Sequence, residues 1–210
     1  MPLPSDHQLT ENGWAQTRDG RVLVIACGAL AREILAVIDA NGLAHLDLQC
    51  LPAILHNRPE LIPDAVEKAV RDRGAGYGRI FVAYADCGSG GLLATRCAEL
   101  GVEMIEGPHC YSFLEGNKVF AARDEMTAFY LTDFLVRQFD AFVIEPLGIE
   151  RHPELRDIYF GNYETLVYQA QTDDPGLTEK ARVCADRLGL RFERRFTGYG
   201  DLTTTLNALS

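Results

Sequence analysis

The run VLVIAC at residues 22–27 is apolar at every position, so a strand built from it has no face to turn toward water. Strands buried on both faces belong to parallel sheets covered by helices on each side. The residues that follow obey the same logic. In ALAREILAVIDA (29–40), Leu30, Ile34, Val37 and Ile38 share one helical side, and Asn41-Gly42 supplies the stop. A second strand at 46–51 leads to Pro59, which suits the first turn of a helix over 59–73. Gly74, Gly76 and Gly78 punctuate before a third strand at 79–85. A helix over 91–100 ends at Gly101, and a fourth strand covers 102–106. This βαβαβαβ order predicts right-handed crossovers and a parallel sheet.

The pattern changes at 124–160, where Phe129, Tyr130, Phe134, Phe139 and Phe142 fall at mixed helical spacing with no strand-like run. Asp124 reads as an N-cap, and Pro146 and Pro153 divide the segment into short helices. Strand and helix patterns then resume: a strand at 164–171, a helix at 177–189 ending at Gly189, a strand at 191–197 and a short helix at 201–208. The expected fold is one α/β domain over 21–210, doubly wound on a largely parallel sheet, with a helical insertion at 124–160. The runs at 22–27, 79–85, 102–106 and 164–170 are expected to be central strands. Residues 1–20 are polar, lack the apolar stretch of a secretory signal and read as a flexible arm.

Composition narrows the partners. With 30 acidic against 20 basic residues the net charge is −10, which argues against nucleic acid or an anionic membrane as the main partner. No apolar stretch approaches the roughly 20 residues of a membrane span. The expectation is a cytoplasmic protein acting on a small molecule. Six cysteines in such a chain read as reduced thiols or metal ligands rather than disulfides.

Those cysteines divide by position. Cys97 and Cys184 sit on helical faces with Leu93 and Leu100, and with Ala181, Ala185 and Leu188, while Cys50 lies inside the second strand; all three read as small core residues. Cys27, Cys87 and Cys110 each follow an apolar run, after VLVIA, RIFVAYAD and VEMIEGPH. In a parallel sheet the carboxyl ends of the strands share one edge, where ligands bind, so three thiols distant in sequence are expected to meet there. Converging soft thiolates suit Zn²⁺ or a [4Fe–4S] cluster. The Cys-Gly steps at 27–28 and 87–88 precede helix starts, whose positive potential favours a thiolate.

Other residues on this edge complete the candidate site. His56, Asn57 and Arg58 follow the second strand: His56 as a fourth ligand or a loop histidine, Arg58 with Asn57 as a clamp for a substrate carboxylate or phosphate. Gly88, Ser89, Gly90 and Gly91 form a glycine-rich loop ahead of a helix, a candidate cradle for an anion. It is neither a Walker A loop nor GxGxxG. His109 is the alternative fourth ligand, although neighbours such as His109 and Cys110 point to opposite faces of a regular strand. Glu33 reads either as a solvated helix-face residue or as a buried acid near Cys27. There is no CxxC pair and no GxSxG elbow.

The segments CGALAREIL, LPAILHNRPE, DCGSGG, GPHCYSFLEGN, FYLTDFLVRQFD and RHPELRDIYFGNYETLVYQAQTDDP together resemble a bacterial and archaeal domain family of unknown function. Members of that family are often encoded beside trimethylamine-type methyltransferases, their corrinoid proteins and corrinoid reactivators. The resemblance implies a role in corrinoid-linked one-carbon metabolism and assigns no residue a role. Two functions follow as expectations. One is a metal-dependent methyltransferase in which thiolate-bound Zn²⁺ activates a thiol or other small substrate. The other is a non-enzymatic iron–sulfur or metal accessory protein serving a corrinoid protein or methyltransferase.

Overall fold

The computed structural model describes residues 3–17 and 21–209, and its strands form two sheets. From edge to edge, the first runs β1 (Trp14–Gln16), β3 (Leu46–Leu51), β2 (Val22–Cys27), β4 (Arg79–Ala83) and β5 (Glu103–Met104). All pairs are parallel except β1 with β3. The fully apolar run of β2 is buried at every residue because it lies between β3 and β4.

The connections explain where a ligand would sit. Helix α2 (Ala31–Asn41) carries the chain from β2 to β3 on one side. Helix α3 (Ile62–Arg73) then brings it back across β2 to β4, and α4 (Leu92–Leu100) leads on to β5. Right-handed crossovers put α2 on one face and α3 with α4 on the other; α3 packs on α4, and α2 on the C-terminal α10 (Gly200–Asn207). The winding reverses between β2 and β4, and at such a reversal the connections on the carboxyl side of the strands splay apart and leave a crevice.

The second sheet is β6 (Ala128–Thr132), β7 (Thr165–Ala170) and β8 (Arg191–Phe196), all parallel with β7 central. Helices α7 (Asp133–Arg137) and α8 (Glu154–Phe160) lie between β6 and β7, and α9 (Pro175–Leu188) joins β7 to β8. Asp174 caps α9 by accepting the Gly176 and Leu177 amides, and Gly189, at φ +73°, ends it. Between the sheets run α5 (Cys110–Glu115) and α6 (Asn117–Arg123). Each sheet has its own buried core, and Leu135 and Phe142 pack against both.

The α/β class and the parallel pairing hold, with four departures from the sequence reading, the first being that the strands divide between two sheets instead of lying in one. The segment 124–160 is not wholly helical: Ala128–Thr132 is a strand that opens the second sheet. Its five residues run directly into α7, so their aromatics merge with the helical periodicity beyond, and Asp124 ends α6 instead of capping a new helix. The run at 102–106 contributes only an edge strand, Glu103–Met104. Residues 3–17 are not a loose arm. Helix α1 (Asp6–Glu11) is capped by Ser5 and buries Leu9, and β1 completes the sheet edge. The approach is close: a Cβ on Gly28 would lie 2.3 Å from the Leu9 carbonyl oxygen. Among the described residues no helix is long and apolar enough to cross a membrane.

Candidate functional site

Cys27 is the last residue of β2, and His56 follows β3 in a 3₁₀ turn over Ala53–Asn57. The Cys27 Sγ stands 3.5 Å from His56 Nδ1, which is also 3.2 Å from the Ala53 carbonyl oxygen. A carbonyl only accepts, so the Ala53 contact puts the imidazole proton on Nδ1. Cys87 is a second neighbour of His56. Burial pulls the imidazole pKa down, but the hydrogen bond and charge interaction with Cys87, together with Ala53, leave it raised. The buried Tyr84 ring stacks on His56 at 6.2 Å. Its hydroxyl has no nitrogen or oxygen partner among the described residues and neighbours the Cys27 sulfur.

Cys110 reaches the same locus from the first turn of α5, not from a strand end. Its thiol is raised well above the ordinary range by burial, then by Cys87 and Cys27. Burial likewise pushes Cys27 to about 12, against the lowering effect of the Ala29 amide, which donates to Sγ at 3.3 Å. The helix-start amide therefore does not produce a thiolate at Cys27; desolvation outweighs it. Cys50 is buried inside β3, and Cys97 and Cys184 are buried on α4 and α9. All six cysteines are free.

Cys87 occupies an unusual backbone position. It is one of two non-glycine residues with positive φ among the described residues, at +48°, and its amide donates to the Pro108 carbonyl at 3.0 Å. A cysteine in the left-handed region stores strain that the surrounding contacts must hold. The loop beyond it is folded around Asp86, whose carboxylate accepts from Ser89 Oγ at 2.8 Å, Gly90 N at 3.1 Å and Gly91 N at 2.6 Å. The Gly91 amide leads the contacts that hold this carboxyl below its usual range.

That geometry bears on three readings. The Gly88–Gly91 loop is not an open anion cradle, because the chain's own Asp86 occupies its donors. The Arg58 side chain is 67% exposed and pairs with Glu60 at 3.2 Å. His109 packs edge-on against Phe120 at 5.0 Å and tilts against Tyr111 at 5.4 Å, with burial holding its pKa down. His56 and Asn57 both line the neighbouring cavity.

Beside this locus lies a cavity of about 230 Å³. The first sheet contributes Ala29, His56 and Cys110 from beyond β2, β3 and β5; the second contributes Thr132 and Gln171 from the ends of β6 and β7. The carboxyl edges of both sheets therefore face one space. On the second-sheet side Asp133 fixes the rim, accepting from Tyr168 Oη at 2.7 Å and from the Gln171 and Thr172 amides at 3.0 Å. Gln171 Oε1 returns a bond to the Asp133 amide at 2.7 Å. Glu33 also lines the cavity. It is buried, not solvated on its helix face, and burial raises its pKa to about 7.

A family model described as a protein of unknown function, DUF1638, matches residues 50–206. The chain belongs to the DUF1638 family. The match holds His56, Cys87, Cys110 and the whole second sheet, while Cys27 and Glu33 precede it. No curated protein and no solved structure matches the chain. Among the described residues no three His, Cys, Asp or Glu side chains are already gathered into a metal-holding group. The donor set nevertheless suits a soft ion in its chemistry.

Proposed function

We propose that Cys27, Cys87 and Cys110, with His56, form a thiolate-rich metal site taking Zn²⁺ or a [4Fe–4S] cluster, in a DUF1638 protein of corrinoid-linked one-carbon metabolism. The observation that carries this reading is the convergence, at the switch point of the first sheet, of three thiols and an imidazole from four separate connections. The pKa shifts of Cys27 and Cys110 have a physical reading. Thiols this buried are poor nucleophiles at neutral pH, and no lysine or arginine lies among the causes that act on Cys27 or Cys110. A metal cation supplies the missing positive charge and makes thiolates of them. Ligation requires the Cys87 and Cys110 side chains to close on the Cys27–His56 pair. The chemistry such a centre brings is activation of a thiol or small substrate for methyl transfer, with a corrinoid protein as the partner the resemblance implies.

Metal and absorbance analysis of protein purified without air tests this. The expected result is stoichiometric zinc, or a brown protein with stoichiometric iron and sulfide. Cys27→Ser, Cys87→Ser and Cys110→Ser should each empty the site, and Cys97→Ser should keep it filled. Full metal content in the Cys87→Ser protein overturns the assignment.

One observation favours a second reading. Cys87 is partly exposed, strained at φ +48° and near enough to His56 to raise its pKa, the pairing of a cysteine nucleophile with its base. Metal-free protein alkylated by iodoacetamide first at Cys87, at a rate cut sharply by His56→Ala, supports that reading.

A further inference from the structure

The cavity between the two sheets carries a feature the metal reading does not use. Its walls are largely apolar, with Leu131, Leu135 and Phe142 among them, and at about 230 Å³ it is below the roughly 300–1,000 Å³ of drug-sized pockets. Its polar side chains are mostly committed to the fold. Thr132 Oγ1 accepts the Leu135 amide at 3.3 Å, and Gln171 is bonded at both ends, to the Asp133 amide and the Gln169 carbonyl. Glu33 is the exception. The residue is 5% exposed, it lines the cavity, and its Oε2 atom has no partner among the described residues. The nearest cations, Arg32 and Arg137, pair with Asp6 at 3.0 and 3.1 Å, and each keeps one buried nitrogen, Arg32 Nε and Arg137 Nη2, without a partner among the described residues. A buried carboxyl with an unused oxygen is costly to the fold. It becomes favourable when a ligand donates to it.

We propose that this cavity binds a compact molecule with an apolar body and a single protonated nitrogen, the nitrogen donating its N–H to Glu33. Aromatic and aliphatic walls accept the body, and the carboxylate selects the head. The site stands on the cavity and Glu33 alone and does not depend on metal at the cysteines. Cys110 borders both, so a ligand held here lies next to the thiol locus.

Calorimetric titration of the full-length protein at pH 8 with isobutylamine, isobutanol and isobutyrate tests the proposal, with metal content measured on every preparation. Isobutylamine should bind more tightly than isobutanol, and isobutyrate should not bind. Glu33→Gln should weaken isobutylamine at least tenfold while leaving metal content unchanged. Leu135→Phe, which fills the cavity without touching the carboxyl, should abolish binding of both neutral and charged probes. Isobutyrate binding as tightly as the amine, no binding of any probe, or an unchanged affinity in Glu33→Gln overturns it. Loss of metal from wild-type protein with amine binding intact removes the metal reading and leaves this one standing.

Discussion

Glu33 exposes the tension between folding and binding most clearly at the residue scale. Its carboxyl is moved from an ordinary 4.5 to about 7, first by burial, with Arg137 and Arg32 opposing and Asp133 adding to the rise. Cys27, Cys50 and Tyr199 also feel its charge. A carboxyl raised in the folded state is protonated there while the unfolded chain is already ionised, so stability falls as pH rises from about 4.5 to about 7 and levels off above. A shift of this size corresponds to about 3 kcal/mol. Glu33→Gln should therefore be more stable than wild type at pH 8, by about 2–3 kcal/mol in urea unfolding, and nearly equal at pH 4.5. Equal wild-type stability at the two pH values would show that Glu33 is already compensated. The sequence left Glu33 open between a solvated and a buried reading because a glutamate at one helix position carries no sign of what will pack over it. The place of Cys27 was legible for the opposite reason, since the apolar run before it fixes where β2 ends, whereas Cys110 sits on α5, beyond the run that pointed to it.

At the scale of elements, the strands that could be read are those whose burial is written into their own residues. VLVIAC is apolar throughout and TLVYQA is buried throughout; both are central strands. β6 and β1 were hidden because neither is stable by itself. β1 is three residues held by pairing to β3, and β6 is five residues whose last, Thr132, already caps α7. What holds β6 in register is Asp133, just beyond its end, which is 1% exposed and accepts from Tyr168, Gln171 and Thr172. This carboxylate ties β6 and α7 to β7 across the rim of the cavity. Asp133→Ala strands several buried donors at once and should cost at least roughly 3 kcal/mol in urea unfolding, against about 1 kcal/mol for Tyr168→Phe. Similar losses in the two variants would mean that the carboxylate is not the joint between the strands.

Two sheets with separate cores need something besides Leu135 and Phe142 to keep their carboxyl edges facing one another, and the N-terminal segment supplies it. Asp6 on α1 bonds Arg32 of α2 at 3.0 Å and Arg137 of α7 at 3.1 Å, so one carboxylate joins the first-sheet unit to the second. Thr10 Oγ1 adds a contact to Gln138 at 3.4 Å, and Leu9 is buried in the first core. A polar stretch read in isolation gives no hint of this, because its value lies in what it bridges. Asp6 engages both arginines, which still act on the Glu33 carboxyl through their charge. Asp6→Ala should lower global stability by about 1–3 kcal/mol, since charged hydrogen bonds that are largely buried are lost. It should also produce a local signature in hydrogen exchange. Amides of α1 and α7 should exchange faster together, while those of β2, held between two neighbours, should change only with global stability. Freed from Asp6, Arg32 and Arg137 gain access to Glu33, so the same variant should bind isobutylamine more weakly. Faster exchange confined to α1, with α7 and amine affinity unchanged, would mean that the segment covers the first sheet without joining the two.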